Sequence, residues 1–107
     1  MSEHRMEFAQ IVQWLHSTQS ALRGGANIAS IKLRPEYLPA AFADFDGAES
    51  MGRICGWVSG LFDFEVVRIR DGHQTFFQHE EIERIDDPAL DVALAAFVAA
   101  LVESSQN

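Results

Sequence analysis

The segment spanning residues 51–82, MGRICGWVSGLFDFEVVRIRDGHQTFFQHEEI, constrains the fold more than any other part of the chain. It holds three strand-like runs, 53–58, 61–70 and 74–82, cut by Ser59-Gly60 and Asp71-Gly72. Residues that tolerate positive φ at such points fold consecutive strands back on one another, so the segment predicts an antiparallel ribbon. Both faces of that ribbon carry apolar side chains, and one mixes them with carboxylates. A small sheet needs one apolar face for its own core, so a second one predicts a partner.

Register decides which side chains meet. If Val58-Ser59-Gly60 is a three-residue loop with Gly60 left-handed, Phe62, Phe64 and Val66 share a face with Ile54, Gly56 and Val58. Trp57 then lies on the other side beside Asp63 and Glu65, with Arg53 across from Glu65. A two-residue turn at Ser59-Gly60 moves Trp57 to the helix-covered side, because a one-residue slip swaps faces. The three-residue loop gives the cleaner core and is the register expected. In either register Asp63, Glu65 and Val67 share the less apolar face, and Phe76 joins them if Asp71-Gly72 makes a two-residue turn. The competing arrangement covers Val67, Ile69 and Phe76 with the N-terminal helix or with residues 35–50. The expected partner-binding set is Trp57, Asp63, Glu65, Val67, Phe76 and Glu80, with aromatics as anchors and carboxylates as rim.

The flanks supply the second layer. Residues 3–22 read as a helix, with Phe8, Ile11, Val12, Leu15 and Leu22 at helical spacing and Gln10, Gln13, His16 and Gln19 mostly opposite. Gly24-Gly25 ends it. Residues 28–34 alternate as a strand that Pro35 and Pro39 close off, and 42–46 reads as a short strand or an irregular arm. Asp86-Asp87-Pro88 opens a last helix, since aspartate caps free amides and proline suits the first helical position. Its stripe is Leu90, Leu94, Phe97, Val98 and Leu101. The expected architecture is a single α+β domain across 1–107: two layers, an antiparallel sheet of about four strands, and helices from both termini.

The chain carries 16 acidic and 8 basic residues, a net charge of −8. That balance disfavours nucleic acid and anionic membrane and favours a basic or amphipathic protein partner. It equally serves solubility alone. The single cysteine, Cys55, excludes an internal disulfide. The opening MSEHRMEFAQ lacks a signal peptide's apolar stretch, and the apolar run 89–102 is broken by Asp91 and short for a bilayer. These features predict a cytoplasmic protein, monomeric or weakly dimeric.

No pattern in the chain carries catalysis. His73 and His79 fall in phase on one strand but roughly 20 Å apart, too far to share a metal. His79-Glu80-Glu81 point to alternate faces of a strand. Cys55 has no motif around it and reads as a small buried thiol. Asp44 and Asp46, or Asp63 and Glu65, are i,i+2 pairs of the kind that line a solvated face. Gly24-Gly25 follows a helix instead of preceding one, so it is no phosphate loop. A binding protein without metal or cofactor is expected.

The run Gly52-Arg53-Ile54-Cys55-Gly56-Trp57-Val58-Ser59-Gly60, then Asp63-Phe64-Glu65-Val66, Asp71-Gly72 and His79-Glu80 before an amphipathic C-terminal helix, resembles the TriTu-type immunity proteins. These are small bacterial proteins that accompany ADP-ribosyltransferase toxins delivered by type VI secretion; the toxin of the founding type modifies elongation factor Tu. The resemblance implies neutralisation by tight binding in the producing cell's cytoplasm, and the expected mechanism is occlusion of the toxin's active or substrate site. Trp57 would anchor, and Asp63, Glu65 and Glu80 would pair with basic residues of a substrate or NAD cleft. A secretion chaperone or effector-docking adaptor is the alternative reading, although such proteins usually carry a helix between their strands and none is evident in 51–82. An enzyme with an unrecognised site is the third.

Overall fold

The computed structural model describes residues 5–103 of the 107-residue chain. The helix α1 (Phe8–Ser17) tightens into a 3₁₀ helix (Thr18–Leu22) and is followed by five strands and the helix α2 (Pro88–Glu103). The strands are β1 (Ala26–Arg34), β2 (Ala40–Gly47), β3 (Ser50–Trp57), β4 (Leu61–Arg68) and β5 (Gln74–Glu81). They pair antiparallel in chain order, β1-β2-β3-β4-β5. The α+β architecture is as expected, with five strands where about four were read.

The added strand is β2. Its inward residues Ala41, Ala43 and Phe45 are buried, while Phe42, Asp44 and Asp46 point the other way. That period of two is a strand signature, although alanine and aspartate are poor strand formers taken singly.

The N-terminal helix begins later than residue 3; Glu3 and His4 lie outside the described residues. The amides of Arg5 and Met6 both donate to the Val58 carbonyl, so this segment is clamped to the β3–β4 loop in place of helix. Glu7 then caps α1, its amide donating to the Gln10 side chain at 2.9 Å in a capping box. Met6 and Ile11, buried in the same core, occupy the two positions of a hydrophobic staple. At the far end Arg23 and Gly24 turn left-handed (φ 50° and 81°) and stop the helix. The start of α2 follows the sequence closely: Asp87 Oδ1 accepts from the Ala89 amide at 2.9 Å, with Pro88 in the first helical position.

Both helices lie on one face of the sheet. Trp14 of α1 meets Phe62 and Phe64 edge-on, with ring centroids 5.7 and 6.4 Å away. Phe97 of α2 packs on Phe45 and Phe64 at 5.1 and 6.1 Å. The Phe97 ring sits over bare backbone at Gly52, where a Cβ would come within 2.6 Å of it. The core side of the ribbon is the expected one: Ile54, Val58, Phe62, Phe64 and Val66 are all fully buried.

The two turns differ from each other. Gly56 pairs with Phe62, which leaves Val58-Ser59-Gly60 as a three-residue loop with Gly60 at φ 97°, the register expected. Asp71-Gly72 does not make a two-residue turn. It lies in a longer loop, residues 69–73, where the Asp71 carboxylate accepts from the His73 amide and from both ends of the Arg68 guanidinium (3.1 and 2.8 Å). The Arg68 contact and the His73 amide hold the Asp71 carboxyl well below the usual carboxylate range. Beyond the loop the pairing jumps from Val67–Gln74 to Val66–Phe76, with Thr75 as a bulge. Phe76 therefore faces the helices and packs against the core, which corrects its conditional assignment to the other face.

Candidate functional site: the uncovered sheet face

With both helices on one side, the opposite face of the five-stranded sheet is left open among the described residues. Register places its side chains in cross-strand rungs. One rung runs Lys32, Phe42, Cys55, Asp63, His79; the next runs Ser30, Asp44, Arg53, Glu65, Phe77; the third runs Asn27, Asp46, Met51, Val67, Gln74. Arg34, Ala40 and Trp57 form a fourth at the β3–β4 loop end. Met51 and Phe77 are half-exposed, at 51% and 55%.

Aromatic and charged groups interlock on this surface. Trp57 packs on Phe42 with centroids 6.5 Å apart, and the guanidinium carbons of Arg34 and Arg53 each lie 5.9 Å from the centre of the Phe42 ring. Arg53 donates to Asp44 through Nε at 2.7 Å and Nη2 at 3.3 Å, and Lys32 approaches the same carboxylate at 3.6 Å. The Arg53 hydrogen bond, outweighing partial burial, holds Asp44 below the usual carboxylate range. Arg53 is across from Glu65 in the register but forks onto Asp44 on its other side, because a bidentate carboxylate contact is the stronger one.

The acidic flank is pre-set in a different way. Asp63 is hydrogen-bonded to His79 Nδ1, and Glu65 accepts from the side-chain amide of Gln74. A neutral amide fixes the Glu65 carboxylate without cancelling its charge. On this face Lys32, Arg34 and Arg53 of β1 and β3 flank Asp44 and Asp46 of β2, whereas β4 and β5 contribute Asp63, Glu65 and Glu81. Burial pushes the Cys55 thiol, in the middle of it, up to about 11, which favours the protonated thiol at neutral pH.

Of the six residues read from sequence as partner-binding, Trp57, Asp63, Glu65 and Val67 share this face. Phe76 and Glu80 do not: they pair with Val66 and Phe62 on the helix-covered side, where Glu80 accepts from Gln78 at 2.7 Å. The bulge at Thr75 and the longer loop put Phe77 across from Glu65 instead. Phe42, Asp44, Met51 and Phe77 are the members of the face that sequence reasoning passed over. The alternation of Ala41, Ala43 and Phe45 with Phe42, Asp44 and Asp46 was the signal that could have found the first two. Among the described residues no three His, Cys, Asp or Glu side chains are grouped to hold a metal ion, and no helix is long and apolar enough to cross a membrane.

The fold is thus a one-sided α+β sheet whose open face is aromatic and charge-laced. The family model for the immunity protein TriTu matches residues 9–100, and the chain belongs to that family. No curated protein and no solved structure gave a significant match. The family makes this an immunity protein, whose partner is a toxin.

Proposed function

We propose that the chain neutralises a cognate secreted toxin, an ADP-ribosyltransferase delivered by type VI secretion, by seating its open sheet face across the toxin's active or substrate site in the cytoplasm of the producing cell. The observation that carries this reading is the uncovered face itself: apolar and aromatic groups surrounded by carboxylates, on the side of the sheet that the protein's own helices leave bare. Trp57, backed by Phe42, is the rigid anchor. Asp63 and Glu65 meet basic residues of the toxin's NAD or substrate cleft, and Val67 with Met51 and Phe77 fills the apolar remainder. Because neighbouring side chains already hold both carboxylates in place, little rotamer freedom is lost on docking.

Titrating the toxin domain's ADP-ribosyl transfer with the purified chain tests this. Occlusion predicts inhibition that ends at one chain per toxin and is immediate. Inhibition by catalytic amounts of the chain, growing with incubation time, would instead mean enzymatic reversal of the modification and would defeat the proposal.

A further inference from the structure

We propose that the outer face of α2 is the contact surface of a symmetric dimer of this chain. The helix, PALDVALAAFVAALVE, carries only Asp91 and Glu103 as charged residues, in a protein with 24 of them (16 acidic and 8 basic). Its inner stripe of Leu90, Ala93, Phe97 and Leu101 is fully buried in the core. Its outer stripe of Val92, Ala95 and Ala99 is also apolar yet exposed, Val92 at 67%. A helix that is apolar all round is the pattern of one covered all round.

The charges beside that stripe identify the occupant. A shallow groove of about 430 Å³ runs between α2 and the 3₁₀ helix, with Arg23 on one wall and Asp91 on the other. Neither side chain forms an ion pair among the described residues. They stand at different heights. Asp91 is in the first turn of α2, whereas Arg23 lies towards its last turns, because the nearby Gly25 abuts Val102 (3.0 Å from a Cβ built on Gly25). If two α2 helices cross antiparallel about a two-fold axis at Ala95, Asp91 and Ala99 are each four residues from the axis, about 6 Å along the helix. Asp91 of one copy then comes level with Ala99 and Arg23 of the other, and the reverse contact forms at the same time. Such reciprocity is what an isologous interface requires and what an unrelated partner does not. Ala95 and Ala99, at the crossing, let the two backbones approach closely.

This surface is on the side of the molecule away from the open sheet face, so a dimer keeps both open faces free and carries two toxins. A single helix crossing falls below the ~1,200 Å² of a standard stable interface, so the dimer dissociates on dilution.

Sedimentation equilibrium across micromolar to millimolar concentration tests the inference. The mass of the wild-type protein should climb from one chain towards two. Asp91→Arg and Arg23→Asp, made separately, should each weaken self-association at least tenfold by setting like charges opposite each other. An equimolar mixture of the two variants should regain it, since each supplies the sign the other lacks; a salt bridge within one chain cannot produce rescue between chains. Ala95→Glu should weaken association by a similar factor, with circular dichroism verifying that every variant is folded. A wild-type protein that stays monomeric up to millimolar concentration, or variants that associate like wild type, would overturn the proposal. So would a mixture that shows no rescue. Loss of toxin binding in the folded Ala95→Glu variant would make α2 the toxin's seat and would overturn it too, whereas a dimer that fails to inhibit the toxin would count only against the open-face mechanism.

Discussion

Asp44 is the carboxylate around which the basic side of the open face is organised. It accepts from Arg53, neighbours Lys32, and through Arg53 fixes the cation over the Phe42 ring that backs Trp57. A carboxyl whose folded-state pKa is depressed stabilises the fold above its unfolded value of about 3.9, and that contribution disappears as pH falls through the lowered value. Arg53→Met should therefore raise the Asp44 midpoint towards the ordinary range, as followed by carbon NMR of the carboxyl. The variant should lose about 0.2–1 kcal/mol of stability at pH 7, the range for a pair this exposed, and the gap to wild type should shrink as the solution is taken below pH ~3.9. An unchanged midpoint would mean that Arg53 does not set the charge state of Asp44. At this scale the sequence was half legible. Trp57 fell on the open face because Gly60 permits the three-residue loop, whereas Phe76 went to the core because Asp71 engages Arg68 and the His73 amide and so widens the next loop. The hydrogen bonds of one side chain, Asp71, decided the second turn, and no periodicity reveals that.

Among the elements, β3 is the one on which the rest converge. Its inner face is nearly all small, Ser50, Gly52 and Gly56 around Ile54, and this lets α2 settle onto the backbone with Phe97 over Gly52. Gly52→Ala should force the Phe97 ring to move and cost about 1–3 kcal/mol by overpacking, seen as a lower midpoint in urea unfolding. A midpoint equal to that of wild type would mean that α2 is not seated there. Elements with strong terminal chemistry were readable from the residues: the Asp87-Pro88 start of α2, the Gly24-Gly25 stop, and the β3–β4 hairpin. β2 was harder to read because its inward positions are alanines and two of its outward ones aspartates. It is held as a strand by pairing with both neighbours and not by propensity. The start of α1 was misplaced for a related reason, since Arg5 and Met6 have helical sequence neighbours but donate their amides to Val58.

For the whole molecule the decisive fact is asymmetry. One face of the sheet carries both helices and the core; the other carries Phe42, Trp57, Val67 and Phe77 among charged groups, with nothing over them among the described residues. The apolar excess of residues 51–82 corresponds to a second, uncovered face, and membership of the TriTu immunity family gives the chain a toxin as partner. The most direct test is to measure, by titration calorimetry, the affinity of the cognate toxin domain for the double variant Trp57→Ala, Glu65→Ala. Loss of an aromatic anchor and a rim carboxylate should raise the Kd at least ~100-fold while circular dichroism shows the fold intact. A folded double variant that binds the toxin with wild-type affinity would contradict the assignment of the open sheet face as the toxin's seat.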